Sequence, residues 1–209
     1  MELGRYLKEK KIRVILASGS PRRTELLAMA EIPHEVIPSG ADENDQREDP
    51  AEKVKALSCS KAEEVYVSEE KKGGDLLVLG ADTVVSVEGR ILGKPVDEED
   101  AARMLRMLSG RAHEVFTGVT IQGRCGGEAV RRTFSVRTVV HVSPLSEEEI
   151  QDYIREGESL DKAGAYGIQG HFLRYVSGIE GDYYNVVGLP ISRVYHELKK
   201  VTDETGVFA

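Results

Sequence analysis

The chain has 209 residues, 40% hydrophobic and 31% charged, with a mean hydropathy of -0.32, the balance of a soluble globular protein. Its 28 Lys and Arg against 36 Asp and Glu leave a formal charge of -8, which argues against a broad basic surface for nucleic acid or an anionic membrane. No apolar run approaches the roughly 20 residues of a membrane span, the N-terminus lacks an apolar signal core, and Cys59 and Cys125 form no CxxC, so a reducing, cytoplasmic setting is expected.

With no internal repeat or Pro/Gly/Ser-rich linker, residues 1–209 read as one unit. Ile12 to Ala17 is a short β-branched run closed by Gly19, the pattern of a buried strand. Ser20-Pro21 predicts a helix start, with Leu26, Leu27 and Ala30 as its inward stripe. A second strand is expected at His34 to Ile37, then an acidic loop from Asp42 to Asp49. Asp49-Pro50-Ala51-Glu52 caps a long helix reaching about Glu70. Leu76 to Ala81 reads as a buried strand ending in Asp82-Thr83, and Val84 to Leu92 as a hairpin turning at Glu88-Gly89. Asp97 and Gly110 bracket a further helix. Strands near 114–122 and 128–142 precede a capping box at Ser146 and Glu149, whose helix ends at Gly157. Strands near 172–176 and 183–187 lead to a last helix after Pro190. The expected fold is mixed α/β, a partly antiparallel central sheet flanked by helices.

Neither GxGxxG nor a P-loop is present, which disfavours a dinucleotide dehydrogenase or a P-loop NTPase. Ser18-Gly19-Ser20-Pro21-Arg22-Arg23 stands instead at a strand-to-helix junction. Hydroxyls, free helix N–H groups and two forked cations there suit phosphate oxygens, although an ordinary capped helix with solvated arginines has the same sequence. Lys61 shares a helix face with Val54, Leu57 and Val65, so it either snorkels outward or meets an anion in a cleft. Asp82, at the expected strand end, suits a metal ligand or a proton acceptor, and equally a turn cap. Lys94 in Gly93-Lys94-Pro95 adds a cation, or marks a surface turn. Asp161 to Gly170 packs glycines around Tyr166 and Gln169, as either a ligand or a bend would require. His113 and Thr117 offer pocket polar groups, although a lone strand histidine is more often structural.

In order along the chain, several blocks resemble the Maf family of nucleotide pyrophosphatases, a fold related to the inosine-triphosphate pyrophosphatases with a cleft between two lobes. They are Leu16 to Arg23 with Glu25-Leu26-Leu27, Leu79 to Val85, Leu92 to Pro95, Leu108-Ser109-Gly110 with His113, Asp161 to Gly170, and Gly181 to Pro190. The resemblance implies cleavage of a nucleoside triphosphate between its α and β phosphates, giving monophosphate and pyrophosphate. It implies that Asp82 activates water, assisted by Mg²⁺ or Mn²⁺ on Asp82 and Glu43. Arg22, Lys61 and Lys94 would hold the triphosphate, Ser18 and Arg23 of the strand-to-helix junction are further candidates for substrate binding, and Arg22, Thr83 and Gln169 match the positions of base choice. Gly167-Ile168-Gln169 is similar to the subgroup acting on dTTP and UTP, while His171-Phe172 departs from it by placing bulk after the Gln-Gly pair. The same resemblance leaves a homodimer open. It also carries an alternative, a nucleotide-binding regulator of septum formation with little catalysis.

Overall fold

In the computed structural model, which describes residues 2–204, Arg13–Leu16 (β1), Glu35–Val36 (β2), Leu76–Val87 (β3), Arg90–Leu92 (β4), Ala112–Cys125 (β5), Glu128–Val142 (β6) and Val176–Glu180 (β7) form one sheet. Among the described residues its order is β2-β1-β3-β5-β6-β7, with β4 paired to β3 off that path. β1 runs parallel to β2 and β3, and the remaining pairs are antiparallel. The helices are Leu3–Glu9 (α1), Pro21–Met29 (α2), Pro50–Glu69 (α3), Glu98–Leu108 (α4), Glu147–Arg155 (α5), Tyr183–Val187 (α6) and Ile191–Glu204 (α7). No helix among the described residues is long and apolar enough to cross a membrane.

Period-two alternation divides the sheet between two cores. Ile15, Leu76 and Val78 pack with Ala62 and Val65 of α3. The alternate residues Leu16, Leu77, Leu79 and Ala81 pack with side chains of α1, α2, α4, α5 and α7. α3 therefore covers one face alone. It can lie directly on the sheet backbone because two strand positions lack side chains. A Cβ at Gly80 of β3 would come within 2.0 Å of Ser58 O, and one at Gly118 of β5 within 2.2 Å of Val54 O, both on α3.

The expected caps form at Asp49, Asp97 and Ser146, the last as a full capping box. Ser20 holds the N-cap position of α2 but makes no side-chain cap bond. Glu88 and Gly89 both have positive φ (50° and 74°), the conformation of a tight hairpin turn.

Three readings are corrected. β3 does not end at Ala81 but continues through Asp82 and Thr83 to Val87, because β5 pairs with it from Leu76 to Ser86. Tyr183–Val187 is a helix, since Asp182 accepts a capping hydrogen bond from Tyr184 N and Gly188 (φ 123°) ends the turn, overriding the β propensity of its residues. His171–Tyr175 is a 3-10 turn, and the strand lies just beyond it at β7. The helix α1 was not anticipated, although Leu3, Tyr6 and Leu7 carry an i, i+3, i+4 stripe and are all buried.

Candidate active site

Lys61 settles its own ambiguity. It is 8% exposed, and its Nζ lies 2.7 Å from Asp82 Oδ1 and 2.7 Å from Glu43 Oε1. The lysine thus faces two carboxylates rather than snorkelling out. Gly80, two residues before Asp82 on the same face of β3, is the glycine that lets α3 approach closely enough for this contact. Glu43 comes from the loop between β2 and α3. The Lys61 hydrogen bond holds its carboxyl below the usual range; burial opposes this, and the charges of Lys61, Lys94 and Arg23 reinforce it. Lys94 itself is exposed.

The two arginines behave differently. Arg22 reaches Asp161 at 3.2 Å and remains partly exposed. Arg23 is buried, and its guanidinium donates to Gly188 O (2.8 Å), Ser18 Oγ (2.9 Å), Ala81 O (3.0 Å) and Thr83 Oγ1 (3.1 Å). All four acceptors are neutral. The spacing carried this signal: Arg23 precedes Leu26, Leu27 and Ala30 by three, four and seven residues, on the inward stripe of α2. Burial pulls its pKa down from arginine's ordinary value, while the charge of Asp82 pulls it up.

Thr83 lies opposite Thr117 in the β3–β5 register, and their hydroxyl oxygens are 2.9 Å apart. Thr117 in turn donates to Asn185 O at 2.9 Å. The Asn185 amide donates to Val115 O and Thr138 Oγ1, both at 3.1 Å, which fixes α6 against the sheet. Asp182 and Asn185 belong to a block read from sequence only as part of the resemblance.

The glycine-dense loop is pinned along its length. Asp161 meets Arg22, Gly164 N donates to Gly93 O (3.0 Å) beside Lys94, and Tyr166 OH lies 2.7 Å from His113 Nε2. Gly167 N donates to Tyr153 OH at 3.1 Å. His113 is buried, and that burial pushes its pKa down to about 4, so the ring is neutral at pH 7. Phe172, part of the bulk that follows the Gln-Gly pair, is fully buried among Tyr153, Tyr166 and Tyr175. Gln169 is exposed, and among the described residues no hydrogen bond joins it to the other candidate positions.

Among the described residues no three His, Cys, Asp or Glu side chains cluster as a metal site. Asp82 and Glu43 do converge on one point, now held by the Lys61 ammonium. Two carboxylates fit a hard divalent cation of the Mg²⁺ kind, which takes one or two protein carboxylates and completes its shell with water and substrate phosphate.

Comparison with known proteins follows the same blocks. A model of the family described as Maf-like protein matches residues 13–201. A dTTP/UTP pyrophosphatase of Agathobacter rectalis is 48% identical over 203 residues, covering 90% of this chain and 97% of that protein. Proteins of the same name from Bacillus cereus (48% over 189 residues, 90% and 95% covered) and Koribacter versatilis (50% over 188 residues, 90% and 93%) are similarly close. A solved nucleoside-triphosphatase / dITP/XTP pyrophosphatase of Mycobacterium abscessus covers 64% of this chain and 76% of that one at 14% identity. Its TM-score of 0.38 is too low to bear on the fold. With the family match spanning the sheet and every candidate residue, the chain belongs to the Maf family.

Proposed function

We propose that the chain hydrolyses dTTP and UTP to the monophosphate and pyrophosphate, with Asp82 accepting a proton from the attacking water. The observation that carries this reading is the convergence of Asp82 and Glu43 on Lys61, 2.7 Å each, with the charge of Lys94 near enough to help lower the Glu43 pKa. The relatives named dTTP/UTP pyrophosphatase supply the substrate class.

A nucleoside triphosphate brings about four negative charges, and a chain with a formal charge of -8 must answer them locally. Lys61, Arg22 and Lys94 provide that answer. In this reading Lys61 gives up one carboxylate contact to a phosphate oxygen, and Arg22 releases Asp161 in the same way. Asp82 Oδ atoms then take the water proton, the role of a positioned general base. Asp82 and Glu43 would hold Mg²⁺ or Mn²⁺, which supplies charge neutralisation at the phosphates. Gln169 would meet the O4 and N3–H edge of the base, its amide offering both a donor and an acceptor. The whole chain acts as one unit in the cytoplasm, without a nucleic-acid or membrane partner.

The test is pyrophosphate release from a panel of ordinary triphosphates, with and without Mg²⁺ or Mn²⁺. Release from UTP and dTTP that depends on the metal is the expected result. Nucleotide binding without release would favour the non-catalytic regulator instead.

A further inference from the structure

We propose that Lys61 is a positioning residue that reserves the Asp82–Glu43 pair for a divalent cation arriving with a polyphosphate, so that the free chain excludes the bare cation. The proposal rests on the reading of that pair as the cation-holding carboxylates and deepens it.

A cation already lies between the two carboxylates. Lys61 Nζ is 2.7 Å from Asp82 Oδ1 and 2.7 Å from Glu43 Oε1. The side chains of Lys61 and Asp82 are only 10% and 13% exposed, so little water stands there to screen one charge from another. A dication held by both carboxylates would lie against the ammonium, and one of the two has to leave. The ammonium cannot leave with its helix. α3 is seated on the sheet backbone at Gly80 and Gly118, so the movement falls to the Lys61 side chain alone.

The surrounding charges favour the ammonium over a second cation. The charges of Lys94 and Arg23 reach Glu43, and Arg23 in turn feels Asp82. Two carboxylates therefore face three cations, Lys61, Arg23 and Lys94, an excess of one positive charge. A bare divalent cation adds to that excess. A triphosphate, with about four negative charges, reverses it and offers the ammonium an oxygen to move to. Cation and polyphosphate therefore bind as a coupled pair, each tightening the other by the same factor. The species admitted is the chelate of the two.

A lysine with only a structural part would behave otherwise. If Lys61 did no more than neutralise Asp82 and hold the Glu43 loop against β3, its removal would lower stability and leave the affinity for a bare cation unchanged or weaker.

The experiment titrates Mn²⁺ into the intact chain, Lys61→Met and Lys55→Met without nucleotide, following free Mn²⁺ by electron paramagnetic resonance, with circular dichroism to check folding. Calorimetry gives Kd for α,β-methylene-UTP, an uncleaved analogue, with and without Mn²⁺. Lys61→Met should bind Mn²⁺ at least about tenfold more tightly than the intact chain, a factor within the usual range of coupling between sites. Lys55→Met removes the same charge elsewhere on α3, from a pair with Glu52, and should bind Mn²⁺ as the intact chain does. A folded Lys61→Met protein with no gain, or an equal gain in Lys55→Met, overturns the proposal. If Lys61→Met folds only with Mn²⁺ present, the metal has replaced the ammonium and the proposal stands. If it folds under neither condition, the intact chain decides: an analogue Kd unchanged by Mn²⁺ overturns the proposal, and tightening of about tenfold or more sustains it. Absence of UTP and dTTP hydrolysis with the Mn²⁺ gain in Lys61→Met would count against the reaction and for the reserved pair.

Discussion

Arg22 and Asp161, 139 residues apart in the chain, meet at 3.2 Å and tie the first turn of α2 to the loop that carries Gln169. Both side chains keep solvent access, 32% and 64%, and an ion pair so exposed contributes only about 0–1 kcal/mol. A phosphate oxygen can therefore replace the carboxylate at little cost. Asp161→Asn should shift Tm by less than about 4 °C and leave KM for UTP unchanged or lower. Arg22→Ala should raise KM for UTP while moving Kd for UMP less. Steady-state kinetics and calorimetry check both, and a large rise in KM for Asp161→Asn would make the aspartate a ligand rather than a placeholder.

Asp82→Asn should reduce kcat for UTP by about 10²–10⁴ while Kd stays within about tenfold, because a positioned general base contributes that much to rate. Wild-type kcat in this variant would remove Asp82 from the chemistry.

His113 titrates out of reach of neutral pH. Its folded pKa is about 4 against an ordinary 6.5, and burial is the main cause. Between those values the unfolded chain binds a proton that the folded chain does not, so stability rises with pH there and is lost as pH falls from about 6.5 toward about 4. The full window corresponds to something on the order of 3 kcal/mol. His113→Gln, compared with the intact chain, should show a flatter fall of Tm over that range. Parallel curves would place the sensitivity in other groups.

Gly118→Ala should destabilise the protein by about 1–3 kcal/mol or more, since its Cβ would meet Val54 O at 2.2 Å and backbone cannot step aside as a side chain can. The displacement would lift α3, and with it Lys61, from the sheet. Activity should fall even at temperatures where the variant remains folded, which circular dichroism and kinetics read together.

Much of this site was legible in the sequence where a local pattern reported it. Lys61 stood out as the one charge on an otherwise apolar helix face, and its partners turned out to be carboxylates. The hairpin at Glu88-Gly89 and the caps at Asp49 and Ser146 are signals only a few residues long. What stayed hidden depends on distance along the chain. Thr83 meets Thr117 through strand register and Arg22 meets Asp161 through a loop, and neither residue type announces its partner. Tyr183–Val187 misled because its residues favour strands while its cap and its buried asparagine favour a helical turn.

Asp82 and Thr83 are consecutive on β3, so their side chains leave the sheet on opposite faces, Asp82 toward α3 and Thr83 toward Thr117 and Arg23. In an unbroken sheet no small molecule could touch both. Here β1 pairs with β3 only as far as Leu79, and β4 takes up the same edge only from Val85. Between them, among the described residues, no strand pairs with β3 on that edge, and Arg23 donates to Ala81 O there. A molecule that engages both side chains would have to reach round that unpaired edge of β3 rather than lie along one face of the sheet.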